Sequence, residues 1–152
     1  MTRRMGLLAG MALLIVPMLV SGATNPVIVG TISGFELCPQ SVCDKAYFAG
    51  QFAGTVKGKP TAGVFSVGVT HGDLPETTGG TAPITGGTWM VRTKKKVFAG
   101  TVATGTLTYN GDDTYTVALT LTLTEGGSGT LQFTGLLDHG PFPPTIVGTL
   151  SQ

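Results

Sequence analysis

The chain has 152 residues and a formal net charge of +1 at pH 7, and only 11% of its residues are charged. This balance lacks the strongly basic surface that nucleic-acid binding normally requires, so we expect no nucleic-acid partner. The 24 glycines and the low charge are also found in low-complexity chains, but the apolar residues are regularly patterned, which predicts a folded domain.

The N-terminal segment has the composition of a secretory signal peptide. Two arginines near the start precede an apolar stretch at 7–20, and small residues lead up to Ala23. We expect cleavage after Ala23, which makes 1–23 the signal peptide and 24–152 the mature domain. The alternative is an uncleaved membrane anchor, which the short apolar stretch and Pro17 disfavour. The expected location of the mature protein is the periplasm or the extracellular space.

Cys38 and Cys43 are the two cysteines of the chain, and only a short segment separates them. In an exported protein, two such cysteines most simply form a disulfide. The alternative is a thiolate metal site or redox chemistry, but the spacing is not that of a Cys-x-x-Cys motif. We predict a disulfide that shapes a loop rather than one that holds the fold together.

Strand signals run through the mature region. Segments rich in β-branched and aromatic residues alternate with turn residues, and no window shows the 3.6-residue apolar period of an amphipathic helix. The pattern is clearest in the sixth segment, where valine and leucine alternate with threonine and alanine. The eight predicted strands are residues 27–36, 46–56, 61–71, 85–93, 97–109, 114–124, 129–138 and 145–151.

Short connections between these strands predict antiparallel neighbours in a meander. Two further features indicate that the meander closes into a barrel. The first and last strands share the pattern Ile-Val-Gly-Thr, so the two ends could pair and remove both exposed edges. A curved wall with rings packed over glycines would require a recurring Phe-x-Gly-x-apolar motif. That motif begins at Phe48, Phe52, Phe98 and Phe133. We therefore predict an all-β fold, a single antiparallel meander of about eight strands closed into a β-barrel.

Charge is divided unevenly between the two ends that this barrel would have. Alternate connections of a meander lie at opposite ends, so the longer connections share one end. In or beside the longer connections the sequence has seven carboxylates and one lysine. In or beside the shorter connections it has six basic residues and one carboxylate. Long loops on a rigid scaffold often carry recognition. We call the end with connections 37–45, 72–84, 110–113 and 139–144 the acidic mouth, and the end with connections 57–60, 94–96 and 125–128 the basic end.

Histidine and carboxylate side chains of the acidic mouth could converge on a divalent metal, the one cofactor that the sequence suggests. Imidazole and carboxylate groups suit zinc, and adjacent aspartates could supply oxygen ligands for calcium. The alternative is that these are ordinary polar loop residues, because their spacing matches no metal-binding motif. The candidate ligand or metal residues are His71, Asp73, Asp112, Asp113, Asp138 and His139.

The lysines of the basic end have two interpretations. Lysines at hairpin tips are most often simply solvated. Grouped at one end of a barrel, they could instead dock on an anionic cell-surface polymer. The residues concerned are Lys57, Lys59, Lys94, Lys95 and Lys96.

The chain contains no Gly-x-Ser-x-Gly elbow, no Walker loop and no His-Glu-x-x-His sequence, so we expect no enzyme. With one Trp and three Tyr it cannot form the two aromatic girdles of an outer-membrane barrel, so we expect no integral membrane protein after cleavage.

The expected function is that of an exported, non-enzymatic binding or surface-structural protein. The alternative is a barrel that binds a small molecule or a metal in the acidic mouth, and this alternative includes a catalytic site there. A barrel of this size holds either packed side chains or one small ligand, and the sequence does not choose.

Overall fold

The structure is a computed structural model that describes residues 28–37 and 45–152. The predicted signal peptide and both cysteines lie outside the described residues, so cleavage and the disulfide stay predictions. Among the described residues, no helix is long and apolar enough to cross a membrane. The strands, numbered in chain order, are β1 Ile28–Glu36, β2 Lys45–Val56, β3 Lys59–His71, β4 Thr81–Thr93, β5 Val97–Gly111, β6 Thr114–Glu125, β7 Gly129–Asp138 and β8 Thr145–Ser151.

The eight strands form an antiparallel meander that closes on itself. Each strand pairs with its neighbours in the chain, and β1 completes the circle by pairing with β8, where Ile32 lies opposite Gly148. The predicted all-β class, strand number and closed barrel are confirmed. Closure occupies the edges of both β1 and β8, which would otherwise be open to pairing with another chain.

Two strands begin two or more residues earlier than the sequence predicted. β3 starts at Lys59 and β4 at Thr81, two and four residues before the predicted starts. Each extension contains a proline that the prediction assigned to a connection, Pro60 in β3 and Pro83 in β4. A proline lacks the N–H but keeps its carbonyl, and the carbonyl of Pro83 accepts a hydrogen bond from Gly72 N–H at 3.0 Å. The strand pairing therefore continues through both prolines.

Alternation along the strands places the large apolar side chains inside the barrel. The rings of Phe65 and Phe133 stack within it, with centroids 5.9 Å apart. Leucines of β6 and β7, among them Leu121 and Leu131, are fully buried beside them. The interior is therefore a packed hydrophobic core, the first of the two possibilities that the barrel size allows. The phenylalanines at most 2% exposed are Phe48, Phe52, Phe65, Phe98 and Phe133.

Glycines allow aromatic rings to pack against the inner wall. Gly30 lies opposite Gly54, and a Cβ atom on Gly30 would come within 2.6 Å of Phe52 Cε2 and 2.8 Å of the Gly54 Cα. On β8, a Cβ atom on Gly148 would meet the ring of Phe133 at 2.6 Å. The predicted packing of rings over glycines is therefore present at Phe52 and Phe133.

Strand direction sorts the connections between the two ends as the sequence predicted. β1, β3, β5 and β7 end at the acidic mouth, and β2, β4 and β6 end at the basic end. The barrel therefore separates two sets of charged loops by the length of its strands.

Candidate functional site

The charged side chains of the described residues are confined to the two ends of the barrel. Each lies in a connection or at or next to a strand end, as Lys45, Arg92 and Asp138 do. The wall between the ends is covered largely by threonine, serine and alanine. Long-range electrostatic attraction therefore directs a charged partner to one end of the barrel rather than to its wall.

Four lysines of the basic end line a single groove of about 550 Å³. The start of β3 contributes Lys59, and the β4–β5 connection contributes Lys94, Lys95 and Lys96. These segments are neighbours because β3 pairs with β4. We call this feature the basic groove. Its remaining lining is largely apolar and includes Val56, Pro60, Ala62 and Phe98.

Local sequence holds both lysine-bearing turns in defined conformations. The β2–β3 connection consists of Lys57 and Gly58, whose φ angles of 49° and 74° are both positive, as a type I′ hairpin turn requires. In the β4–β5 connection, Thr93 Oγ1 accepts hydrogen bonds from the backbone N–H groups of Lys95 and Lys96, at 3.3 and 3.0 Å. The lysines are therefore mounted on ordered turns, which lowers the entropy lost when a ligand binds.

The basic groove can contact both charged and apolar groups of a ligand. Lys96 Nζ lies 5.2 Å from the centroid of the fully buried Phe98 ring, within the range of a cation–π interaction. The exposed Pro60 and Ala62 provide apolar surface in the same groove. Of the five predicted docking lysines, four line the groove, and Lys57 lies on the adjoining hairpin tip.

The acidic mouth contains a hydrogen-bonded pair of titratable side chains, of which one is buried and one is partly exposed. His139 Nε2 lies 2.8 Å from Glu36 Oε2, and the imidazole N–H donates to the carboxylate. Glu36 is 5% exposed, and the side chain of His139 is 22% exposed. Glu36 ends β1 and His139 follows β7, so the pair joins the two strands that flank β8.

Tyr115 packs against this pair. Its ring centroid lies 5.2 Å from that of His139 and 5.1 Å from that of Tyr109. Burial is the main factor that raises the pKa of the Tyr115 phenol above its ordinary value, and negative charge around it acts in the same direction. The groups that contribute, after burial, are Tyr109, Asp113, Glu36 and Glu76.

Backbone hydrogen bonds anchor the β7–β8 connection across the mouth. Glu36 N–H donates to the carbonyl of Pro144 at 2.9 Å, and His139 N–H donates to the carbonyl of Asp113 at 2.9 Å. Between these two anchors, Phe142 is 87% exposed. The connection therefore presents an aromatic ring to solvent from a fixed base.

The predicted metal ligands make separate local contacts. His71 donates from Nδ1 to the carbonyl of Gly72 at 2.7 Å, which leaves its Nε2 as the acceptor in the neutral ring. Asp138 Oδ1 accepts from Gly140 N–H at 2.8 Å. In the part of the chain that the structure describes, no three His, Cys, Asp or Glu side chains lie close enough together to hold a metal ion. The divalent-metal hypothesis stays a prediction.

The other acidic candidates lie in connections between strands. Asp112 and Asp113 form the β5–β6 connection with φ angles of 50° and 57°, a conformation that aspartate tolerates better than most residues. Asp73 is exposed in the connection after β3. These residues contribute to the negative charge of the mouth, and the positive φ angles at 112 and 113 account for aspartate at those two positions.

Sequence reasoning missed Glu36 and Tyr115 as site residues. For Glu36 a signal was present, because two-residue alternation from the buried Ile32 places Glu36 on the inward face of β1. Its contact with His139 joins residues 103 positions apart, and that contact depends on closure of the barrel.

Comparisons with known proteins provide no relative. No protein-family model matches the chain, and neither a curated protein nor a solved structure is significantly similar to it. We therefore infer a function from the basic groove and the acidic mouth themselves.

Proposed function

We propose that the protein is an exported, non-enzymatic binding protein that docks on an anionic cell-surface polymer through its basic end. One observation carries this proposal: Lys59, Lys94, Lys95 and Lys96 line the same groove. Ammonium groups gathered in one concave site attract phosphate, sulfate or carboxylate groups that recur along a polymer.

The packed interior supports docking at an end. Phenylalanine and leucine side chains fill the barrel, so the surface offers the room for a ligand that the interior does not. An extended polymer needs only surface contact, and its repeated charges can engage several lysines at once. The apolar lining at Val56 and Pro60 adds contact with uncharged parts of such a chain.

Export is part of the same proposal and rests on the N-terminal sequence. An intact-mass measurement of the protein from its producing cells tests it. We expect a chain that begins at Thr24, with a mass two hydrogens lower than that of the reduced chain because Cys38 and Cys43 are joined. A retained N terminus at Met1 contradicts export by cleavage. A mass unchanged by reduction contradicts the disulfide.

Binding to dextran sulfate, with uncharged dextran as the reference, tests the binding function. We expect binding to dextran sulfate alone, with an affinity that falls steeply as salt rises, because exposed charge interactions are screened. Lys95→Gln should weaken binding by about two- to fivefold, the value of one exposed charge contact. Lys45→Gln removes the same charge at the acidic mouth and should leave binding unchanged. Equal binding of both dextrans, or equal loss in both variants, contradicts the proposal.

A second candidate places a small ligand in the acidic mouth. The observation that favours it is the Glu36–His139 pair, whose carboxylate is buried beside the Tyr115 ring. Such pairs occur in binding and catalytic sites as well as in structural networks. Native mass spectrometry with added zinc or calcium tests the metal form of this candidate, and a bound mass that is lost in Glu36→Gln would support it.

A further inference from the structure

The two ends of the barrel have complementary shapes as well as opposite charges. At the acidic mouth, Phe142 projects from the anchored β7–β8 connection and is 87% exposed. At the basic end, a groove of about 550 Å³ combines lysines with an apolar lining. One end therefore offers a projecting aromatic ring, and the other offers a recess with apolar walls.

An exposed phenylalanine gains most by burial in a recess of this kind. Aromatic side chains bury roughly 150 to 250 Å² each and often anchor protein interfaces. The apolar part of the basic groove that solvent reaches, with Val56, Pro60 and Ala62, provides the matching surface. Within one barrel the ring cannot reach that groove, because the strands separate the two ends.

The charges around the ring and the groove are complementary. Asp112, Asp113 and Asp138 lie in the connections or at the strand ends of the mouth that also carries Phe142. Lys59, Lys94 and Lys95 line the groove. When the mouth of one copy faces the groove of another, carboxylates meet lysines, which favours the docked orientation and disfavours contact between like ends.

We propose that the protein self-associates head to tail, with Phe142 of one copy inserted into the basic groove of the next. The proposal rests on the role of the basic groove as the binding site and names the acidic mouth of a second copy as one of its ligands. A docked pair keeps one free groove on one copy and one free ring on the other, so the contact is heterologous and the assembly grows as an open chain. The contact is small, so the association should be weak and dependent on protein concentration.

Two variants that each disable one end provide the test. Phe142→Ser removes the ring and leaves the groove, whereas Lys94→Glu/Lys95→Glu reverses the charge of the groove and leaves the ring. All three positions are exposed, so both variants should fold. Val147→Ser is the matched control, because it removes an apolar side chain that is 57% exposed on the wall.

Sedimentation velocity over a concentration series measures the outcome. The wild type and Val147→Ser should form a growing series of species that high salt dissociates. Each end variant alone should associate at least about tenfold more weakly. An equimolar mixture of the two end variants should form dimers and nothing larger. The ring of the Lys94→Glu/Lys95→Glu variant can bind the groove of Phe142→Ser, and the other two ends are disabled. A wild type that is monomeric up to about 1 mM overturns the proposal. Association that persists in both end variants, or a mixture without dimers, overturns it as well.

Dextran sulfate separates the failure of this inference from the failure of the proposed function. Phe142→Ser should bind dextran sulfate as the wild type does, because its groove is intact. Dextran sulfate should also dissociate wild-type assemblies, because it competes for the same lysines. Binding of dextran sulfate without self-association rejects head-to-tail docking alone. Self-association without binding of dextran sulfate rejects the polymer-binding function alone.

Discussion

The ring of Phe52 on β2 covers Gly30 on β1 so closely that a Cβ atom at Gly30 would lie 2.6 Å from Phe52 Cε2. The same atom would lie 2.5 Å from the carbonyl oxygen of Ala53, which belongs to the backbone and cannot rotate away. The Phe52 ring occupies the space that a side chain at position 30 would take, so β2 packs closely against β1. Because Gly30 also pairs with Leu150 of β8, the contact lies at the seam where the barrel closes.

Gly30→Ala should therefore destabilise the barrel. We expect the free energy of unfolding to fall by about 2 kcal/mol or more, because overpacking against a fixed backbone strains the core. Urea denaturation followed by fluorescence of Trp89 measures it. Gly86→Ala is the matched control, because a Cβ atom there meets nothing within 4 Å. Equal effects of the two substitutions would show that steric contact at Phe52 is not the cause.

Glu36→Gln should weaken the link between β1 and the β7–β8 connection. The substitution replaces a buried carboxylate that accepts from His139, and we expect a loss of about 1–3 kcal/mol in the free energy of unfolding. Glu125→Gln removes an exposed carboxylate at the basic end and should change stability by less than about 0.5 kcal/mol. If Glu36→Gln is as stable as the wild type, the pair contributes nothing to the fold, and a role in ligand binding becomes the better explanation of its burial.

Alkaline pH should destabilise the wild type through Tyr115. The folded protein raises the pKa of this phenol above the ordinary value of 10.0, so the folded state holds the proton more tightly than the unfolded state does. The stabilisation is complete below pH 10 and is lost as pH rises through the raised pKa, because the unfolded chain then gains more from ionisation. In Tyr115→Phe, the fall of the unfolding free energy above pH 10 should be shallower. Tyr47→Phe, which removes a phenol exposed on the wall, is the control and should keep the wild-type profile. Identical profiles for all three proteins would contradict this role of Tyr115.

The sequence was sufficient to predict the barrel because its strands alternate regularly. In β6, Val117, Leu119 and Leu121 are buried, and Ala118 and Thr120 between them face outward, as the pattern predicted. The repeated Ile-Val-Gly-Thr pattern predicted that β1 meets β8, and the register confirms the pairing. The early starts of β3 at Lys59 and of β4 at Thr81 could not be predicted, because prolines such as Pro60 and Pro83 are typical of turns, and only the pairing with a neighbouring strand shows that they belong to strands.

The candidate sites were only partly predictable. The grouping of Lys59 with Lys94, Lys95 and Lys96 followed from the order of hairpins in a meander, and the structure places these four side chains on one groove. The apolar lining of that groove was not predicted, because Phe98 and Val56 read as core residues in sequence and their position at the end of the core depends on the barrel geometry. The Glu36–His139 contact could not be predicted, since it bridges strands that meet only through β8.

The most direct test of the basic groove as the binding site is to map the backbone amide chemical shifts of the protein during titration with dextran sulfate. If the polymer binds in the basic groove, the perturbed amides will cluster at 57–62 and 93–98, the segments around the four groove lysines. Perturbations that cluster at 72–80 and 139–144, or that spread along the threonine-rich wall, would contradict it.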